Sequence, residues 1–252
     1  MNICLLALFA LAQVLPTSRP PPPPEPEIVW RQPVVVCFPN YGSDDQVVVD
    51  QVIRAASTWR LHSSASLWVS RRCNEDEVKA AVGENPNWLV SQDLEEHMPA
   101  SVVQAVVTDN PADFGSSDGL GNVLGGGRRL RFAGDYDWRD PICGDQGRVG
   151  RQRCVYADAV HELGHLLGLR HDHVSVNSPH CAGVAQSRES TDRSMSYYDA
   201  RSIMNYCNLG RYSGLLSEAD ICAIQVGYPV AGRPPRTEKE CEQLAARTLK
   251  EQ

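Results

Sequence analysis

The sequence predicts an α+β domain over residues 28–232, and three observations predict it. Short β-branched runs bounded by Pro, Asn and Gly recur in the first half. One segment there repeats its apolar residues at helical spacing. The second half holds one strong helical pattern followed by a long irregular stretch. No internal repeat is present.

Val34-Val35-Val36-Cys37-Phe38 is a β-branched run stopped by Pro39-Asn40-Tyr41-Gly42, so it reads as a strand and a turn. Ser43-Asp44-Asp45-Gln46 then has the spacing of a capping box. Val48, Val52, Ala55, Ala56 and Trp59 follow on one helical face, giving an amphipathic helix. Leu67-Trp68-Val69 reads as a second strand. Val102 to Thr108 reads as a third, stopped at Asp109-Asn110-Pro111. Residues 113–127 are rich in Gly, Ser and Asp and read as loop. Arg128 to Phe132 alternates polar and apolar residues, which suits an exposed edge strand. A helix is expected near 156–168, and a last helix opens at Ser217-Glu218-Ala219-Asp220, again with capping-box spacing.

The ends differ in composition from this body. Residues 1–18 begin with a compact apolar run, Ile3 to Leu15, too short to span a bilayer comfortably but suited to the core of a secretory signal peptide. No Lys or Arg precedes that run, and a buried core segment is the competing reading. Residues 19–27 contain five consecutive prolines, which exclude helix and central strand and read as a stiff spacer. Residues 233–252 form a linker and a short amphipathic helix. Thr237-Glu238-Lys239-Glu240 supplies capping-box spacing, and Cys241, Leu244, Ala245 and Leu249 supply an apolar face. That helix either docks on the body or frays as a tail. The expectation is a secreted monomer without a membrane anchor.

Of the 252 residues, 42% are hydrophobic and 22% charged, which excludes a chain disordered throughout. The net charge of −7 gives no basic surface for a nucleic-acid partner.

The chemistry is concentrated in Tyr156 to Asp172, which includes His161-Glu162-Leu163-Gly164-His165-Leu166-Leu167-Gly168-Leu169-Arg170-His171. Two histidines four residues apart project from one helical face and can grip one metal ion. Glu162 flanks that face. Gly168 can adopt a left-handed conformation, end the helix and swing His171 back to the same ion. Three neutral imidazoles suit Zn2+ and leave an open coordination position, the mark of a catalytic site. Zinc would lower the pKa of a water molecule and polarise a carbonyl, with Glu162 as general base towards an amide bond. His173 and His180 are alternative third ligands without the glycine-turn spacing. His62 and His97 read as structural. The run Asp109–Gly127 lacks EF-hand spacing and reads as solvated loop.

The eleven-residue segment resembles the zinc-binding consensus of the metzincin metalloendopeptidases. The resemblance implies a metzincin-like zincin fold, a twisted mixed sheet with a backing helix and an active-site helix, followed by a loop-rich C-terminal subdomain. It implies zinc held by His161, His165 and His171, with Glu162 as the base. It also implies a methionine turn under the metal, which Ser202-Ile203-Met204-Asn205-Tyr206 resembles, with Met204 as its apolar floor. Ser194-Met195-Ser196-Tyr197 is a competitor; Ile203 ahead of Met204 favours the later segment. Asp172 after the third histidine resembles the adamalysin branch, where it would brace the turn. Ser-Ile-Met-x-Tyr resembles the astacin branch, which makes Tyr206 a candidate oxyanion stabiliser or weak extra zinc ligand. A packed core tyrosine is the alternative. By the same resemblance, an extended peptide or protein substrate would pair with the strand at Arg128 to Phe132. Two rival readings remain: a catalytically silent zinc-containing binding module (inhibitor, toxin or adhesin component), and a zinc hydrolase acting on a non-peptide amide.

The chain has nine cysteines. Removal of Cys4 with a signal peptide leaves eight, an even set suited to an oxidising compartment. Pairing by neighbourhood gives Cys37–Cys73, Cys143–Cys154, Cys181–Cys207 and Cys222–Cys241.

Overall fold

A computed structural model describes residues 33–39, 46–74, 76–78, 102–108, 116–117, 129–133, 147–172 and 197–250. The expected signal peptide and spacer, Cys143, Cys181, Met195, His97, His173 and His180 lie outside the described residues. The sheet strands are β1 (Val34–Cys37), β2 (Leu67–Ser70), β3 (Val102–Thr108), β4 (Ser116–Ser117) and β5 (Arg129–Ala133). The helices are α1 (Gln46–His62), α2 (Gly147–Leu166), α3 (Glu218–Gly227) and α4 (Glu238–Lys250), with a 3-10 helix at Leu209–Ser213. The fold is α+β with a mixed sheet.

The strand order is β2-β1-β3-β5-β4. β1 pairs in parallel with β2 and β3, β3 in parallel with β5, and β4 antiparallel with β5. A parallel interior strand is covered on both faces, which explains the uninterrupted Val34-Val35-Val36-Cys37 run. Its side chains alternate accordingly. Val34 and Val36 enter the main core with α1 and α2, whereas Val35 and Cys37 join Cys73, Val78 and Val102 on the opposite face. The Cys37–Cys73 disulfide ties the end of β1 to the segment after β2.

β5 is not the edge expected from its alternating sequence. The edge of the described sheet on that side is β4, paired through Ser116 with Arg131 and Ser117 with Leu130. β4 interrupts what reads as continuous loop over 113–127. Two serines in a glycine-rich run carry no β pattern; their strand exists through its ladder partner. Leu130 is buried in the main core, so the alternation reports one covered face and not a free rim.

α1 and α2 pack against each other on the sheet. Trp59 is fully buried, and its indole N–H donates to the Val160 carbonyl at 3.0 Å. Tyr156 Oη and Thr58 Oγ1 lie 2.8 Å apart, a second tie between the two helices. α2 begins at Gly147, nine residues before the helix expected from the sequence, and ends at Leu166. Its first turns, Gly147-Arg148-Val149-Gly150-Arg151, show no apolar periodicity, so the sequence gives no early start.

α3 carries the expected capping box: Ser217 Oγ accepts from the Asp220 N–H, and the Asp220 carboxylate accepts from the Ser217 N–H. α4 starts with the same device between Thr237 and Glu240. α4 docks against α3, where Cys241 and Ala245 are buried with Cys222, Ala219 and Tyr197, and a Cys222–Cys241 disulfide links the two helices. Cys154 and Cys207 are also disulfide-bonded. No helix among the described residues is long and apolar enough to cross a membrane.

Candidate metal centre

α2 presents His161 and His165 on one face, and a glycine turn returns His171 to them. The Gly168 N–H bonds the His165 carbonyl at 3.0 Å, and the Leu169 N–H bonds the Gly164 carbonyl at 2.9 Å. This is a Schellman end, and it needs a positive φ, which Gly168 supplies at 99°. The three Nε2 atoms converge: His161 to His165 is 3.1 Å, His161 to His171 is 3.1 Å, and His165 to His171 is 2.9 Å.

The tautomers follow from the other ring nitrogens. His161 Nδ1 lies 2.9 Å from the Ile203 carbonyl, and His165 Nδ1 lies 2.9 Å from the Leu169 carbonyl. A carbonyl only accepts, so each Nδ1 carries the proton and, in a neutral ring, each Nε2 presents a lone pair. Burial first, then His165 and His171, hold His161 well below the usual imidazole pKa, which keeps the ring neutral. The facing Nε2 lone pairs of His161 and His165 have no proton to share, and a cation held between them and His171 Nε2 satisfies both. Tetrahedral zinc with Zn–N of about 2.0–2.1 Å separates its nitrogens by about 3.3 Å. The triangle is slightly tighter than that, and the all-nitrogen donor set fits zinc. The His161, His165 and His171 cluster can therefore hold a metal.

Glu162 is buried, with Oε1 4.0 Å from His161 Nε2. Tyr206 packs its ring against both histidines, with centroid separations of 5.2 Å to His161 and 4.6 Å to His171. Met204 is buried beneath α2 and reaches Gly164: a Cβ there would lie 2.8 Å from Met204 Sδ and 3.1 Å from Trp59. Of the expected residues, the structure thus brings His161, His165, His171, Glu162, Met204 and Tyr206 together. His62 lies apart, where its carbonyl accepts from Gln225 at the end of α1.

A polar bracket holds the methionine turn. Asp220 accepts from Ser202 Oγ at 2.6 Å and from the Ile203 N–H at 2.9 Å. Asp199 accepts from the Arg201 N–H and from Ser217 Oγ. Asn205 donates to the Asp199 carbonyl, and Asn208 donates to the carbonyls of Arg201 and Ser202. The Asp172 N–H donates to the Met204 carbonyl at 3.3 Å, which joins the third histidine's segment to the turn. Burial pushes Asp220 up to about 6. Burial, then the charges of Asp220 and Asp199, push Asp172 well above the usual carboxyl range.

The motif does not reveal several of these parts. Gly164 is a space requirement, and the only hint in the sequence is a glycine inside a helix, where it costs about 1 kcal/mol. Ile203 acts through its carbonyl, which no side-chain pattern can show. Arg211 is also new: its guanidinium lies 4.7 Å from the Tyr206 ring centroid and 4.5 Å from that of Tyr212. It acts electrostatically on Asp158, whose carboxyl burial raises to about 7 against the opposing pull of Arg211.

No family model and no curated protein matches the chain. Two solved structures of myroilysin are similar. One gives a TM-score of 0.47 at 16% identity, covering 79% of this chain and 93% of that one. The other gives 0.44 at 16% identity, covering 79% of this chain and 83% of that one. Values this low carry no argument about chemistry, which stands on the site's own geometry.

Proposed function

We propose that this chain is a secreted, zinc-dependent endopeptidase. The observation that carries the reading is the triangle of His161, His165 and His171 Nε2 atoms with the buried Glu162 carboxylate 4.0 Å from one of them. When bound, zinc supplies an acidified water and a polarised substrate carbonyl. The chain's own residues do the rest. Ile203 and Leu169 fix the tautomers of His161 and His165 through their carbonyls. Glu162 receives the proton released by the attacking water and returns it to the leaving amine. Tyr206, whose ring packs on His161 and His171, would donate its phenol to a developing oxyanion. Met204 walls the underside with apolar volume and does not ligate.

An extended substrate would add to an edge of the sheet. Of the two edges among the described residues, β2 and β4, β4 packs against α2, the helix that carries two of the histidines. Residues 1–18 would direct export, 19–27 would act as spacer and 28–232 would form the catalytic unit. The Cys37–Cys73 and Cys222–Cys241 disulfides, with Cys154 and Cys207 also disulfide-bonded, support an oxidising compartment.

The test is a digestion profile of zinc-loaded protein against a peptide library, with metal content measured in parallel. About one zinc per chain and internal peptide cleavage, lost in Glu162→Gln with zinc retained, support the reading. Zinc at that stoichiometry without any cleavage leaves a binding module instead.

A further inference from the structure

We infer that Arg211 forms a subsite for a substrate carboxylate beside the histidine triad. The inference rests on the peptidase reading and adds the substrate class. Arg211 is half-buried and follows the methionine turn in the 3-10 helix, Leu209–Ser213. Two aromatic faces position its guanidinium, those of Tyr206 at 4.7 Å and Tyr212 at 4.5 Å. The Tyr206 ring in turn packs at 4.6 Å from His171 and 5.2 Å from His161. The cation is thus separated from the triad by one ring.

A guanidinium carries five N–H donors. Arg211 uses Nη2 towards Tyr212 Oη at 2.9 Å, and among the described residues it forms no ion pair. A carboxyl that senses its charge is that of Asp158, which is buried and leaves Oδ2 without a hydrogen bond. A planar donor fork, stiffened by stacking and short of acceptors, matches a carboxylate in bidentate geometry. The location matters because the chain as a whole carries −7, a field that repels acidic peptides. A local cation at the cleft reverses that bias at one substrate position. The carboxylate can come from an Asp or Glu side chain or from a peptide's C-terminus.

The experiment pairs peptides with zinc-loaded enzyme. One series is C-terminally amidated and carries Asp or Glu, or the isosteric Asn or Gln, at each position around the scissile bond. A second series has neutral side chains and ends in either a free carboxylate or an amide. Cleavage is followed as kcat/KM, and binding as Kd on zinc-loaded Glu162→Gln, which needs no turnover. The expected result is an acid-over-amide preference of about tenfold or more at one position or at the C-terminus. That ratio collapses towards one in Arg211→Gln and is partly kept in Arg211→Lys. Thermal melts confirm folding, and Arg211→Lys decides the matter if Arg211→Gln does not fold. Equal ratios in wild type and variant, in binding as well as cleavage, overturn the subsite. An Arg211-dependent acid preference in binding with no cleavage of any peptide overturns the peptidase reading and leaves the subsite standing.

Discussion

Gly164 and Met204 approach each other so closely that no side chain fits between them. A Cβ on Gly164 would stand 2.8 Å from Met204 Sδ, with Trp59 3.1 Å away on another side. Gly164→Ala must therefore displace the buried Met204 side chain, because Trp59 is fixed by its bond to Val160. The expected cost is about 1–3 kcal/mol despite alanine's better helix propensity. Chemical denaturation measures it, and the penalty should shrink in a Met204→Ala background. An additive double mutant would show that the two residues do not compete for space.

Metal removal should destabilise the fold. The three converging ring nitrogens can hold an ion only in the native state, so zinc, the proposed metal, would stabilise by mass action. Chelated protein should melt lower, and stoichiometric zinc should restore the transition. His165→Ala should abolish that zinc-induced shift while leaving the metal-free protein folded. Calorimetry with and without zinc distinguishes this from a metal that binds elsewhere.

Glu162→Gln should keep zinc and lose peptide cleavage by roughly 10²–10⁴-fold, the range for a positioned general base. Metal content by mass spectrometry and kcat/KM on a cleaved peptide give the two halves of the test. Cleavage at the wild-type rate would remove Glu162 from the reaction.

Asp158 should make the protein less stable as pH rises. Its folded pKa, about 7, lies above its ordinary value of 3.8. Between those values the native state keeps a proton that the unfolded chain has released, so stability falls as pH rises from about 4 to about 7. Roughly three units correspond to a loss of the order of 4 kcal/mol. Asp158→Asn should remove that component, so its urea stability relative to wild type should improve from pH 5 to pH 8. A difference that stays constant over that range would exclude the buried charge as the cause.

The disulfide between Cys222 and Cys241 should contribute about 3 kcal/mol, the expectation for a loop of similar length to its 19-residue separation. The double substitution Cys222→Ala with Cys241→Ala should lower the melting temperature and expose α4 to proteolysis, while retaining zinc. Unchanged protection of α4 would show that its apolar face alone holds it.

The sequence made the regular elements legible where one physical signal set them. Ser217 and Asp220, or Thr237 and Glu240, announce a helix start by chemistry confined to four residues. His161, His165, Gly168 and His171 announce a metal turn because helical period and a left-handed glycine determine their geometry. Other features depend on distant partners. β4 is a strand because Leu130 and Arg131 pair with it, and nothing in two serines foretells that. Gly147 to Arg151 is helical without a pattern of its own. Arg211 acquires meaning only when Tyr206 and Tyr212 flank it. The placement of Asp220 under Ile203 depends on α3 folding back against the turn.

The turn at Gly168 also separates a local closure of the chain from a distant one. The three imidazoles span ten residues of chain, from 161 to 171, whereas the Ile203 carbonyl that sets His161's proton lies 42 residues away from that ring in sequence. Closing the longer loop costs about 1 kcal/mol more in chain entropy. The three donors are thus brought together by a local helix and turn, while the ring's tautomer is set by a contact of much higher contact order. The donor triad therefore rests on a short chain closure, whereas the tautomer of His161 rests on a long one.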